Sequence, residues 1–174
     1  MDWTPPEDWQ QITAIDAHTG GEPLRIYTSG FPEPAGESIL AKRQEARALY
    51  DHLRRATMWE PRGHADMYGC LLTEPVTPDG DVGVLFLHNE GFSTMCGHGI
   101  IALTTVGLET GLIPKEGETA EVRIDTPAGR VTAVGHRNNQ RQWRLPSSTR
   151  TLRGRPHPPR ARLRIAVVPG RVRP

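Results

Sequence analysis

The fold is decided by Met95-Cys96-Gly97-His98-Gly99-Ile100-Ile101-Ala102-Leu103, which opens a segment that has no charged residue until Glu109. Small and apolar residues surround this segment on nearly all sides, so the pattern predicts a helix over residues 97–109 that is buried in the middle of its domain. Gly111 and Pro114 follow it and are typical of a helix end. The sequence therefore predicts a domain built around one central, uncharged helix.

Apolar runs on both sides of this helix predict strands. The run Val82-Gly83-Val84-Leu85-Phe86-Leu87-His88 is bounded by turn residues, as expected of a buried strand. The other predicted strands cover residues 11–17, 24–28 and 68–73, with a hairpin over 121–126 and 130–134. One long surface helix is predicted over residues 37–57, capped by Ser38. Its basic residues, Lys42, Arg43, Arg47, Arg54 and Arg55, are most simply a solvated face.

Cys96 lies at a predicted helix start, which makes its thiol a candidate reactive group. The positive end of the helix dipole and the unpaired amides of the first turn favour a thiolate, which can act as a base or a nucleophile. Gly97 and Gly99 have no side chains, so a small carboxylate can approach the amides of Gly97 and His98 closely. The alternative is that Cys96 is one more buried, inert cysteine, with His98 as a hydrogen-bonded neighbour.

Two polar loops rich in glycine are further candidates. Asp16-Ala17-His18-Thr19-Gly20-Gly21-Glu22-Pro23 is either a plain turn or a loop of the site, because turn chemistry explains its Gly and Pro residues but not His18 and Glu22. In the second loop, His64 and Asp66 could bind a metal or pair as acid and base, but two candidate ligands do not make a metal site, and we expect none. Cys70 lies within an apolar strand and is predicted to be core.

Composition limits the class of protein. A chain of 174 residues can bury a core of its own, and it contains no apolar run of 18 residues or more. Its acidic, proline-bearing start lacks the apolar region of a secretory signal, and its two cysteines lack the spacing of a zinc or redox site. We therefore expect a cytoplasmic protein without a membrane partner.

Charge divides the chain sharply. Residues 1–136 contain all 20 acidic residues and 10 basic ones, whereas residues 137–174 contain 11 arginines and no acid. The sequence thus predicts an N-terminal extension (1–10), a folded lobe (11–136) and an Arg/Pro-rich tail (137–174). This tail is predicted to be disordered or to result from a reading-frame shift. A basic nucleic-acid-binding tail is the alternative, although we expect no nucleic-acid partner.

Three motifs together resemble the N-terminal signatures of the proline racemase family, which includes hydroxyproline epimerases and trans-3-hydroxy-L-proline dehydratases. They are residues 16–23, Pro61-Arg62-Gly63-His64-Ala65-Asp66-Met67-Tyr68-Gly69 and Met95-Cys96-Gly97-His98-Gly99. The resemblance covers residues 11–136. Residues 85–94 are most similar to the dehydratase branch.

The resemblance implies an α/β (α+β) fold, namely the N-terminal half of the two-lobed proline racemase and diaminopimelate epimerase-like fold, in which a curved mixed sheet surrounds a central helix. It implies that Cys96 is the catalytic base and that the amides of Gly97 and His98 hold the substrate carboxylate. No metal or organic cofactor is implied. The implied partner is a small imino acid, hydroxyproline or proline, and a homodimer is possible.

The implied activity is that of a trans-3-hydroxy-L-proline dehydratase: Cys96 removes the α-proton and water is lost to give pyrroline-2-carboxylate. Proline racemase or 4-hydroxyproline 2-epimerase is the alternative activity, and a basic-tailed nucleic-acid-binding module is the alternative without catalysis. A fragment with no selected role is the third possibility. Because the family's second half has no counterpart here, we expect weak activity or none, with an exposed face on the central helix and a tendency to associate.

Overall fold

Alternating apolar residues form the strands of one mixed sheet, and every predicted strand is confirmed. The computed structural model describes residues 4–140 and 142–145, and the backbone of residues 162–168. The strands are β1 (Gln10–Thr19), β2 (Glu22–Ser29), β3 (Tyr68–Thr73), β4 (Val82–His88), β5 (Gly91–Ser93), β6 (Thr119–Thr126), β7 (Gly129–Arg137), β8 (Trp143–Arg144) and β9 (Arg162–Val168).

The strands lie in the order β8-β7-β6-β4-β3-β2-β1-β9, with β5 paired to β4. The pairs β2/β3 and β4/β6 are parallel, and the other pairs are antiparallel. Each parallel pair is joined through helical segments, because two parallel strands need a crossover connection. One crossover contains α1 (Ile39–Leu49) and α2 (Asp51–Met58), and the other contains α3 (Gly97–Thr110).

The central helix α3 is confirmed to within one residue of its predicted end. Gly111 ends it in a left-handed conformation with φ 77°, which suits a residue without a Cβ. We expected this helix to expose one face, and that expectation is wrong. Gly99, Ile100 and residues 102–108 are all buried, because the sheet curls so that β1, β2, β3, β7 and β8 all contact α3.

The other face of the sheet is covered by α1 and α2, where one continuous helix was predicted. The helix breaks at Tyr50, whose backbone leaves the helical region with φ −117° and ψ 11°. The predicted cap is confirmed, since the Ser38 hydroxyl accepts a hydrogen bond from the Ala41 amide at 3.1 Å. Apolar periodicity did not show the break because Leu49, Tyr50 and Leu53 keep helical spacing across it.

Two of the basic residues predicted to be solvated are buried under these helices. Lys42 is 7% exposed and donates to the Glu33 carboxylate at 2.7 Å and to the Glu74 carbonyl at 3.1 Å. Arg54 is 3% exposed and also has carboxylate and carbonyl partners. Arg47 and Arg55 are exposed, as predicted. Hydropathy alone does not distinguish these cations, because burial depends on acceptors supplied by distant strands.

Part of the predicted tail contributes strands to the sheet. Trp143 in β8 is 3% exposed and joins the core around α3, while β9 pairs antiparallel with β1. Residues 141, 146–161 and 169–174 lie outside the described residues, so the prediction for the tail as a whole stays a prediction. In the described part of the chain, no helix is long and apolar enough to cross a membrane.

Candidate active site

Cys96 occupies the N-cap position of α3, as the sequence predicts. Its backbone is extended, with φ −148° and ψ 104°, and its carbonyl accepts the first helical hydrogen bond, from the Ile100 amide at 3.0 Å. The thiol makes no capping hydrogen bond to the helix, and the Gly99 amide acts on it through its electrostatic effect. Only 6% of Cys96 is exposed. The sulfur therefore lies at the amide-rich start of a buried helix.

Burial raises the pKa of the Cys96 thiol to about 11, the Gly99 amide offsets part of that rise, and the nearby Glu22 carboxylate adds to it. The expectation of a thiol that ionises near neutral pH is therefore wrong. Desolvation outweighs the favourable donors, because the thiol lies in the apolar core around α3.

His98 lies directly beside the thiol. Its ring nitrogens Nδ1 and Nε2 are 3.5 and 3.6 Å from Cys96 Sγ. Burial lowers the pKa of His98, against opposing effects of the Pro23 carbonyl and the Glu22 carboxylate. The Tyr68 ring meets the imidazole edge-on, with ring centroids 4.8 Å apart. A neutral imidazole in hydrogen-bond range of a protonated thiol is a suitable acceptor for its proton.

The turn between β1 and β2 lies against the candidate site, and its role as a loop of that site stays a prediction. The Thr19 hydroxyl donates to the His98 carbonyl at 3.0 Å, and the turn brings Glu22 and Pro23 close to Cys96 and His98. His18 has a local role, since its Nδ1 accepts from the Gly21 amide at 3.3 Å. Thr19 and Pro23 were not singled out by the sequence analysis, because turn chemistry alone accounts for them.

Gly99 is required by the packing around the sulfur. A Cβ at this position would lie 2.9 Å from Cys96 Sγ and 2.9 Å from Cε1 of Phe86. Both distances are shorter than real Cβ contacts, so any side chain would displace the thiol or the ring. The glycine therefore keeps Cys96, Phe86 and the first turn of α3 in close contact.

The second loop, residues 60–67, is held in place by hydrogen bonds from the sheet. His64 and Asp66 are exposed, and His64 Nδ1 lies 2.6 Å from the carbonyl of its neighbour Ala65. Within the described ranges, no three His, Cys, Asp or Glu side chains come together in a way that could hold a metal ion. The loop is anchored by buried Arg25, which donates to the Arg62 carbonyl and forms an ion pair with Asp16.

The second cysteine is core, as predicted. Cys70 on β3 is fully buried in the same apolar cluster as Cys96, and burial raises the pKa of its thiol. Only Cys96 lies at a helix start. The two buried thiols therefore differ in their surroundings: Cys96 lies at the first turn of α3, and Cys70 lies within a strand.

Part of the length of several known proteins is similar in sequence to this chain. The proline racemase family model matches residues 14–147. A trans-3-hydroxy-L-proline dehydratase from Colwellia psychrerythraea is 48% identical over 140 residues, which cover 79% of this chain and 39% of the relative. One from Bacillus thuringiensis is 55% identical over 126 residues, which cover 72% of this chain and 38% of the relative. The chain thus spans about two-fifths of the length of the curated relatives it matches.

The fold is shared as well. The crystal structure of a hydroxyproline epimerase from Agrobacterium vitis with bound trans-4-hydroxy-L-proline superimposes with a TM-score of 0.72 and 24% sequence identity. The superposition covers 79% of this chain and 40% of the epimerase, so the matched fold is again part of a longer protein. With the family signatures spread from β1 to the start of α3, and with most of its length matched, the chain belongs to the proline racemase family.

Proposed function

We propose that Cys96 exchanges the α-proton of a cyclic imino acid and that the preferred substrate is trans-3-hydroxy-L-proline, which loses water to give pyrroline-2-carboxylate. The observation that carries this proposal is the placement of Cys96 Sγ beside the His98 ring at the first turn of buried α3. The dehydratase names of relatives 48–55% identical to this chain support the choice of substrate.

The substrate carboxylate is held by the amides of Gly97 and His98. The first amides of a helix have no acceptor within the helix, and the dipole adds positive potential there. When the α-carbon loses its proton, negative charge spreads onto this carboxylate. Fixed amide donors at that position stabilise the charge without having to reorganise, and the effect is large where water is excluded.

His98 activates the thiol. With a pKa of about 11, Cys96 is overwhelmingly protonated near neutral pH in the free chain. The proton passes to a ring nitrogen of His98, 3.5 Å away. Because burial raises the pKa of the thiol and lowers that of His98, the thiolate–imidazolium pair is a minor species, and its formation slows the reaction. The resulting thiolate then faces the α-carbon of the bound imino acid.

The elimination balances in protons and electrons. The Cys96 thiolate takes the α-proton, the C–H electron pair forms the double bond between C2 and C3, and the bond from C3 to its hydroxyl breaks. The hydroxyl leaves as water with the proton held by His98, so both side chains return to their starting states. The enamine product then tautomerises to pyrroline-2-carboxylate.

The test is to incubate the purified chain in D2O with trans-3-hydroxy-L-proline, L-proline and trans-4-hydroxy-L-proline separately. Proton NMR follows loss of the α-proton signal and formation of any ketimine. We expect slow exchange and dehydration of the first substrate, reduced at least about 100-fold in Cys96→Ser because the base is lost. Cys70→Ser is the matched control, which removes the other buried thiol and leaves exchange intact.

The products separate the related activities. Exchange of L-proline or trans-4-hydroxy-L-proline with inversion at the α-carbon, and no ketimine from the 3-hydroxy substrate, would identify a racemase or epimerase half-site instead. Exchange that persists in Cys96→Ser, or no exchange of any of the three substrates, would contradict the proposal.

A further inference from the structure

The turn between β4 and β5, residues 88–91, leads directly to the proposed base. β5 ends at Ser93, three residues before Cys96. Buried Arg54 on α2 donates through Nη1 to the carbonyls of His88, at 2.9 Å, and Asn89, at 2.5 Å. Its Nε is fixed by the Asp51 carboxylate at 2.6 Å. One guanidinium therefore joins α2 to the turn that leads to the site.

Asn89 makes a second connection from the same turn. Its side-chain amide donates to the carbonyls of Met58, at 3.0 Å, and His64, at 2.9 Å. Its own carbonyl accepts from Trp59 Nε1 at 2.8 Å as well as from Arg54. The residue therefore ties the β4–β5 turn to the end of α2 and to the loop that precedes β3.

These hydrogen bonds bridge one edge of the contact between the helices and the turn. A cleft of about 440 Å³ opens there, with Arg47, Asp51, Glu90 and Phe92 in its walls. Deeper in, Leu53 on α2 and Phe92 on β5 belong to one apolar cluster, so the polar contacts add to that packing and fix the turn at the surface.

A shift of the β4–β5 turn would move β5 and then Phe86, which packs near the Cys96 sulfur. Ser93 on β5 pairs with Phe86 on β4. The Phe86 ring and Cys96 Sγ both lie 2.9 Å from the position that a Cβ on Gly99 would occupy, so ring and sulfur are close neighbours. Movement of β5 would alter the packing over the thiol and its contact with the Gly99 amide.

We propose that Arg54 and Asn89 are positioning residues for Cys96: they fix the β4–β5 turn and thereby keep the thiol buried against the first turn of α3. Their importance for catalysis rests on the proposed function, but their effect on the thiol is measurable without turnover. Neither residue touches the sulfur, so the effect is transmitted through β5 and Phe86.

Arg55 provides a matched control on the same helix. Like Arg54, it pairs with Asp51, at 3.3 Å, and its guanidinium lies over the Trp59 ring, at 5.7 Å against 5.8 Å for Arg54. Its side chain is 50% exposed, whereas that of Arg54 is 4% exposed. The two residues share partners and charge, and they differ in whether the guanidinium turns inward to the β4–β5 turn.

The experiment measures alkylation of Cys96 by iodoacetamide in the full chain from pH 7 to 10, with Cys70 read in the same samples by peptide mass spectrometry. We expect Arg54→Gln and Asn89→Asp each to raise the Cys96 rate about tenfold, because a loosened turn admits water and lowers the pKa of the thiol. Arg55→Gln should stay within about twofold of the parent, as expected for an exposed ion pair. Cys70 should remain unlabelled in all of them.

Asn89→Asp keeps the size of the side chain but replaces its two donated hydrogen bonds by repulsion between a carboxylate and two carbonyls, so it tests the same turn if Arg54→Gln does not fold. Parent-like rates and pH profiles in the folded variants would overturn the proposal. Labelling of Cys70 in step with Cys96 would also overturn it, because that pattern means opening of the whole core. If exchange proves independent of Cys96, the proposed function fails while this comparison of alkylation rates stands.

Discussion

The two faces of the sheet bury helices of opposite character. On one face α3 has no charged residue before Glu109 and packs into an apolar cluster from β1, β2, β3, β4, β6, β7 and β8. On the other face α1 and α2 bury the cations of Lys42 and Arg54. Both faces exclude water, but only the second supplies carboxylate and carbonyl partners to its charged groups.

The comparison shows why the thiol behaves as it does. Arg54 keeps its charge under the helices because carbonyls of the β4–β5 turn replace the water that it loses. Cys96 has one amide donor and an apolar shell, so ionisation there is disfavoured until a partner enters. A substrate with its own charges would supply that partner, which makes the α3 face the one where binding changes reactivity most.

The largest expected effect concerns pH and Cys96. Because the folded pKa is raised to about 11, the thiolate fraction grows with pH throughout the range below that value. Alkylation of Cys96 should therefore rise roughly tenfold per pH unit, about 1,000-fold from pH 7 to 10, without levelling off. Stopped iodoacetamide reactions read by mass spectrometry measure this. A plateau near pH 8.5, as for a free thiol, would mean that the sulfur is solvated.

A cavity under α3 is expected to cost most in stability. Leu103 is fully buried in the cluster around α3, so Leu103→Ala should lower the free energy of unfolding by about 3 kcal/mol. Leu40 on α1 is 44% exposed, and Leu40→Ala should change it by less than about 0.5 kcal/mol. Urea unfolding followed by circular dichroism measures both. Equal losses would show that α3 is not the centre of the core.

On the face of the sheet covered by α1 and α2, the expected loss of stability is smaller and comes from a lost ion pair. Lys42→Met keeps the buried stem but removes the ammonium that donates to the exposed Glu33 carboxylate and to the Glu74 carbonyl. We expect a loss of about 1.5 kcal/mol in the free energy of unfolding, since the ion pair and the hydrogen bond to the Glu74 carbonyl are both lost. Arg47→Met removes an exposed cation of the same helix and is the control. A stability gain in Lys42→Met would mean that packing, not the ion pair, dominates there.

The features that could be predicted from the sequence are those that depend on residues close together in the chain. The uncharged run after Cys96, its ending at Gly111 and the alternation of β1, β2, β6 and β7 each follow from residues adjacent in the chain, and all are confirmed. The break at Tyr50 was missed because apolar spacing continues across it, and the burial of Lys42 and Arg54 was missed because it depends on carbonyls of Glu74 and of the β4–β5 turn.

For the candidate site too, some features were predicted from neighbouring residues and others were missed. Placement of Cys96 and His98 at the start of α3 follows from the glycines around them. The raised pKa of Cys96 depends chiefly on the apolar cluster that buries the thiol, and the approach of Thr19 and Pro23 depends on the turn between β1 and β2, about 75 residues earlier in the chain. Helix-dipole reasoning gave the wrong direction for the thiol because it counted the local donors and not the apolar shell.

The smallest expected effect tests whether α1 and α2 are separate units. The Ser38 hydroxyl caps α1 through the Ala41 amide, so Ser38→Ala should cost about 1 kcal/mol, whereas Ser38→Asp keeps an acceptor and should cost little. Because the helix is interrupted at Tyr50, hydrogen exchange should speed up over residues 39–49 and not over residues 51–58. Equal acceleration in both segments would show that the two helices open together and that α2 holds the β4–β5 turn only with help from α1.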